Sequence, residues 1–234
     1  MKNETTDTLN GSRRKTIFLG GAAAVAGLSL GTAFYIFQNK KEKVEPKIDQ
    51  PDDASDPNLV DYVLAPRYLG NHSAPIQITE FFSMTCGHCA SFHRNTFPVV
   101  KQRLIDENIV RFEKRAFPLD GLALRAHAMA RSLPLSKYYP MIDLLMEKQP
   151  IWTNAEDPIN ALKKLANRAG LSGAAFDAVM RNKPLLESIV EMRQKALRQW
   201  EVQATPSFVI NNKTVISGSL SFDEFAEKIN ATGT

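Results

Sequence analysis

The chain has 234 residues, 44% of them hydrophobic, with 29 Lys plus Arg set against 25 Asp plus Glu. That apolar content supplies a core without crosslinks, so stability does not call for a disulfide. The charges alternate in sign along the chain and form no basic block, which argues against a nucleic-acid-binding protein.

Residues 16–37 form an uncharged stretch of 22 residues, preceded by Arg13, Arg14 and Lys15 and followed by Lys40 and Lys41. As a helix it would reach about 33 Å, enough for a bilayer core of roughly 30 Å. Two expectations for residues 1–37 follow. A signal peptide places a cationic end before an apolar core, and Gly31 and Ala33 supply small residues for a cleavage site. A signal anchor fits the continuation of the apolar run through Phe34, Tyr35, Ile36 and Phe37. Ser12-Arg13-Arg14 also partly matches a twin-arginine export signal, with Thr16 and Ile17 where Phe and Leu usually stand; an ordinary cationic n-region is the other reading. Every version exports the rest of the chain, so the expected location is periplasmic or otherwise extracytoplasmic, tethered to the inner membrane by residues 16–37 if they are an anchor.

Residues 38–58 are charged, lack apolar periodicity and contain Pro46, Pro51 and Pro57, the composition of a linker. A folded domain is expected over residues 59–234. It opens with short strands at residues 60–64 and at Tyr68–Leu69, then a stronger strand at Ile76–Phe82 that starts just after Pro75. Past Cys86 a helical pattern carries Phe92, Phe97, Val100, Leu104 and Ile105, with Pro98 inside it as a kink or break. The alternation of residues 110–117 predicts a second strong strand, giving strand, helix, strand. From about residue 121 to 200 the pattern is helical, cut by Pro150, Pro158, Gly170 and Pro184 into about four or five helices. The tail returns to strands at Ser207–Ile210 and Thr214–Ser217, joined through Asn211 and Asn212, which tolerate the positive φ of a tight turn. A last helix is expected over residues 221–230, started by a capping box of Ser221 and Glu224.

The two cysteines of the chain, Cys86 and Cys89, stand three apart at the junction of a strand and a helix. A helix N-terminus favours thiolate through its free amide hydrogens and the positive end of its dipole. Cys86 is therefore the expected nucleophile, and Cys89, one turn inside, the resolving thiol. His88 between them adds a positive charge or a hydrogen bond for the Cys86 thiolate. This chemistry needs no cofactor and no metal. A permanent structural disulfide remains an alternative, although a loop this small restricts the unfolded chain little. A zinc site is another, with His88 or His93 completing a set that usually needs four ligands. Ala90 stands where a haem-attachment motif has His. His93 and His127 are read as surface or packing positions on helices, and Phe81, Phe82, Phe92 and Phe97 as core.

A second constellation stands at Ala204-Thr205-Pro206-Ser207-Phe208, where proline immediately precedes a strand. The order of strand, Cys-Gly-His-Cys at a helix start, strand, helical block, Thr-Pro, strand hairpin and final helix resembles the thioredoxin superfamily over residues 60–230. The helical insertion before Thr205-Pro206 is similar to that of its DsbA-type branch of exported thiol:disulfide oxidoreductases. The resemblance implies an α/β, thioredoxin-like fold with a helical insertion. It implies that Pro206 is a cis-proline beside the cysteine pair, and that Thr205 offers backbone hydrogen bonds to an extended substrate. It also implies that Glu80, six residues before Cys86, is a buried acid that exchanges protons with Cys89. From the residues alone, Pro206 is an ordinary trans proline at a strand edge and Glu80 an outward strand residue.

The expected function is a dithiol oxidase that introduces disulfides into folding exported proteins, with a membrane redox partner that reoxidises the pair. Gly87-His88 departs from the Pro-His usual in strongly oxidising DsbA proteins and matches protein disulfide isomerases. Isomerase or reductase activity, with a partner that keeps the pair reduced, is the alternative, followed by a metal-binding chaperone.

Overall fold

The computed structural model describes residues 58–232. The expectations for residues 1–37 and for the linker up to residue 57 lie outside the described residues. Among the described residues no helix is long and apolar enough to cross a membrane.

The chain begins with α1 (Leu59–Leu64) and β1 (Tyr68–Leu69), followed by β2 (Ile76–Phe82). The short strand expected at residues 60–64 is a helix. Leu59, Tyr62 and Val63 are its buried positions, a three-and-four spacing that suits one helical face, and the Tyr62 amide bonds to the Asn58 carbonyl at 3.0 Å. Gly70, with φ of +89°, passes so close to the backbone at Val110 that a Cβ would meet the Val110 carbonyl at 2.8 Å.

After β2 come α2 (Gly87–Asn95), α3 (Phe97–Val100), a π-helical turn over Lys101–Ile105, and β3 (Val110–Ala116). The helix breaks at Thr96, and Pro98 sits in the first turn of α3, where a missing amide hydrogen costs nothing. Residues 121–200 hold six helices, more than the four or five expected: α4 (Gly121–Ser132), α5 (Leu135–Glu147), α6 (Gln149–Thr153), α7 (Pro158–Arg168), α8 (Gly173–Arg181) and α9 (Lys183–Trp200). The missed boundary is Pro134, the N-cap of α5, whereas Pro140 lies inside that helix without ending it. The chain closes with β4 (Ser207–Ile210), β5 (Thr214–Ser217) and α10 (Phe222–Thr232). Asn211 and Asn212 take φ of 50° and 57° at the hairpin turn. Ser221 and Glu224 bond reciprocally, with Ser221 N–H to Glu224 Oε2 at 2.9 Å and Glu224 N–H to Ser221 Oγ at 3.4 Å.

The five strands run in the order β1-β3-β2-β4-β5, with β2 and β3 parallel and the other neighbours antiparallel. Register puts Ile78 opposite Phe112 and Ile210, so these side chains share one face of the sheet. Phe92 of α2 and Phe225 of α10 pack on that face against Phe208, with ring centroids 4.7 and 4.9 Å away. Such aromatic pairs contribute about 0.5–1.5 kcal/mol each beyond their buried area. The opposite face, with Phe81 and Val209, is covered by Ala196, Leu197 and Trp200 of α9. The insertion packs its own core, including Met129, Tyr138 and Ile142, against Phe82, Met84 and both cysteines.

Candidate active site

β2 ends at Phe82, and the following turn is closed by the Cys86 amide bonded to the Ser83 carbonyl at 3.2 Å. Cys86 caps α2 with an extended backbone (φ −79°, ψ 118°), and its Sγ accepts the Cys89 amide at 3.4 Å. Both cysteines are free thiols, Cys86 at 9% exposure and Cys89 at 1%. As a thiol, Cys86 donates to the Thr205 carbonyl at 3.3 Å.

Their environments push the two thiols in opposite directions. A hydrogen bond from the Cys89 thiol, helped by the amides of Cys89 and His88, outweighs burial and lowers Cys86 to a pKa of about 5. Burial, first of all, drives Cys89 far above the ordinary thiol range; its hydrogen bond to Cys86 and the charge of Glu80 act in the same sense. Near neutrality the pair thus holds one thiolate, on Cys86, and one thiol.

Glu80 is 1% exposed rather than outward. It shares the face of Ile78 and Phe208 beneath α2, and parallel register sets it directly opposite Lys114. The Lys114 ammonium bonds to Glu80 Oε2, itself at 1% exposure, and lies 4.2 Å from the centroid of the Phe97 ring. An opposite charge and an aromatic face are what a buried cation needs. The Thr205–Pro206 peptide is cis, and the Pro206 carbonyl accepts the Gly218 amide at 2.9 Å. His88 is exposed on the first turn of α2, and its backbone amide rather than its ring bears on Cys86.

The sequence did not single out three groups around the site. Lys114 was visible as a charge in step with Phe112 on an apolar face, and register with Glu80 supplies its partner. Gln149, the first residue of α6, donates from Nε2 to the carbonyls of Met84 at 2.8 Å and Cys86 at 3.1 Å. Thr85 donates to Asp120 Oδ2 at 2.6 Å, while Asp120 Oδ1 caps α4 by accepting the Ala123 amide at 2.7 Å. The last two join residues 35 or more apart, and no local pattern announces them. His93 packs on Phe97 and faces Asp143 of α5, Nε2 to Oδ1 3.1 Å. His127 is buried edge-on to Phe82, and burial, with Arg131 nearby, lowers it to about 3, so it stays neutral. Among the described residues no group of three or more His, Cys, Asp or Glu is gathered to hold a metal ion.

A cysteine pair at the start of a helix, laid on a sheet of this order with a cis-proline across from it, defines a thioredoxin-like redox domain. A family model described as Thioredoxin matches residues 63–231, and the chain belongs to that family. It is similar to a Rickettsia bellii protein provisionally named a protein-disulfide oxidoreductase, at 25% identity over 166 residues, covering 68% of this chain and 64% of the relative. The chain thus spans less than two thirds of that relative's length. Disulfide bond formation protein D of Bacillus subtilis is 26% identical over 165 residues, covering 69% of this chain and 74% of the relative. In structure the chain is similar to α-DsbA1 of Wolbachia pipientis, with 27% identity, a TM-score of 0.65, and coverage of 73% of this chain and 92% of that one.

Two outcomes are expected. Thiolate absorbance of the reduced protein titrates with a midpoint near 5; a midpoint near the ordinary 9.0 would contradict the N-cap geometry. Because the folded value is depressed, the stabilisation that the Cys86 thiolate gives the reduced protein is full above about pH 9 and is lost as pH falls through about 5. Denaturant unfolding of reduced against oxidised protein across that window reads it. Second, Lys114→Met leaves the Glu80 carboxylate buried alone and costs about 3–5 kcal/mol in urea unfolding at pH 7. Adding Glu80→Gln recovers most of that loss, and a double variant as unstable as the single one would contradict the pairing.

Proposed function

We propose that the protein is a thiol:disulfide oxidoreductase acting as a dithiol oxidase on exported proteins with cysteines. The single observation that carries this reading is the placement of Cys86 Sγ on the amides of the α2 N-terminus, which holds it as a thiolate while Cys89 stays protonated. A stabilised thiolate is a good leaving group and stabilises the reduced pair, which makes the disulfide an oxidant. The relatives named as a protein-disulfide oxidoreductase and as a disulfide bond formation protein support thiol–disulfide chemistry.

In the proposed cycle a substrate thiolate attacks Cys86 Sγ of the Cys86–Cys89 disulfide. The bond between the two cysteines breaks, a mixed disulfide forms, and Cys89 leaves as a thiolate that takes up a proton, since its surroundings disfavour the charge. Glu80, held by Lys114, is the proposed proton-exchange partner of Cys89. A second substrate thiolate then attacks the substrate sulfur of the mixed disulfide, which forms the substrate disulfide and releases Cys86 as thiolate. The two electrons taken from the substrate stay on the reduced pair until a membrane redox partner removes them. In the opposite direction Cys86 attacks a substrate disulfide and Cys89 resolves the intermediate. The Thr205 backbone and cis Pro206, across from Cys86, form the proposed rest for an extended substrate segment. His88 is proposed to act on Cys86 through its backbone amide.

Export is part of the proposal, with residues 1–37 as a signal anchor, residues 38–58 as a linker and residues 59–234 as the redox domain outside the cytoplasm. The unbroken apolar run through Phe37 supports the anchor.

Equilibration of the Cys86–Cys89 pair with glutathione is expected to give a potential less negative than about −180 mV. A value near that of thioredoxin, about −270 mV, would make the protein a reductase and overturn the oxidase reading. N-terminal sequencing of protein recovered from membranes is expected to find the uncleaved end. A start just past Ala33 replaces the anchor with a signal peptide, and recovery from the cytoplasm alone overturns export.

A further inference from the structure

Among the described residues, one side chain of the helical insertion bonds directly to the backbone of the reactive cysteine. Gln149 is 7% exposed at the first position of α6, and its Nε2 spends both protons on carbonyls of the approach to α2, those of Met84 and Cys86. The Cys86 carbonyl also accepts the Ala90 amide at 3.1 Å, which is the first helical bond of α2. That carbonyl is therefore held from two sides, by α2 and by the insertion.

Two constraints already act on this segment. The Cys86 amide is tied back to Ser83, and Thr85 is tied to Asp120. Neither reaches the peptide plane that follows Cys86, which α2 itself holds through the Ala90 amide. Gln149 adds a second hold by gripping the carbonyls on both sides of Thr85, and it reaches from a helix whose own frame is held by Trp152, whose Nε1 donates to the Leu145 carbonyl at 2.8 Å. A buried carboxamide proton left without an acceptor is costly, so the side chain has strong reason to keep both bonds.

We infer that Gln149 is a positioning residue for the thiol–disulfide chemistry: it fixes the backbone of Cys86 so that Sγ faces the N-terminal amides of α2, and thereby couples the insertion to the reactivity of the cysteine pair. The inference rests on the oxidoreductase reading given above and deepens it. Its consequence is that the insertion tunes the redox strength that the Gly87-His88 dipeptide leaves open, through a contact outside the Cys-Gly-His-Cys motif.

The test uses the full chain with Gln149→Met, which keeps the length and bulk of the side chain and removes both donors. The thiolate titration midpoint of Cys86 is expected to rise by about one unit, a tenfold smaller thiolate-to-thiol ratio at a given pH below it. The glutathione equilibrium is expected to move toward the protein disulfide by a similar factor. A purely structural role would lower the unfolding midpoint and leave the thiolate midpoint in place, and that result overturns the inference. Should Gln149→Met not fold, the carboxamide resonances of Gln149 in the native protein are expected to shift with the Cys86 titration; resonances blind to that titration overturn it as well. The native chain is the control that separates the two claims. Absence of exchange between the native pair and glutathione overturns the oxidoreductase reading, whereas exchange in the native chain with an unmoved midpoint in the variant overturns the role of Gln149 alone.

Discussion

The hydrogen bond from the Cys89 amide to Cys86 Sγ is the contact to which the rest of the architecture leads. It exists because β2 stops at Phe82, a four-residue turn reverses the chain, and α2 starts with Cys86 as its cap. An amide donor that no helical carbonyl can use is spent on sulfur. The aromatic packing of Phe92 on Phe208 and Phe225 anchors the helix to the sheet, so the donor cannot drift away from its acceptor. Redox asymmetry between two chemically identical side chains is thus a product of where a helix begins.

Burial acts on the site in two opposed ways. At Cys89 it disfavours the charge, and the hydrogen bond to Cys86 and the Glu80 carboxylate act in the same sense. Below α2, at Glu80, burial is tolerated because Lys114 arrives on the neighbouring strand at the matching register. The same sheet face therefore carries a carboxylate close enough to bear on Cys89 and a cation that keeps the carboxylate in place. The site is assembled from two parallel strands and one helix N-terminus, with Thr205 and Pro206 delivered from the far end of the chain by β4.

The strands were the most legible part of the sequence, since period-two alternation and bounding Pro and Asn residues define β2, β4, β5 and the capped last helix almost to the residue. Residues 60–64 misled because a short apolar run bears no visible period; only the burial of Leu59, Tyr62 and Val63 shows it to be helical. The helix count fell short at Pro134, because a proline can start one helix, as there, or ride inside another, as Pro140 does. Of the site, Cys86, Cys89 and their helix start were readable from local rules. Glu80, Thr205 and Pro206 were reached through a family resemblance, because what matters about them is a neighbour distant in sequence. Gln149 and Asp120 carry no local mark, since their partners are carbonyls and a hydroxyl brought to them by the tertiary fold.

The sheet ends on one side in β1, two residues long, and on the other in β5, four residues that begin just after Lys213. Open sheet margins invite foreign strands to dock by main-chain pairing, and brevity and charge are the usual guards against it. For a protein proposed to meet unfolded chains, this geometry separates two kinds of encounter. In the proposed function an extended polypeptide is received at the cysteine pair, where contact ends when the covalent exchange is finished, and it finds little ladder at the sheet margins on which to stay. Short borders thus help keep a protein that would handle unfolded chains from becoming a seed for aggregation.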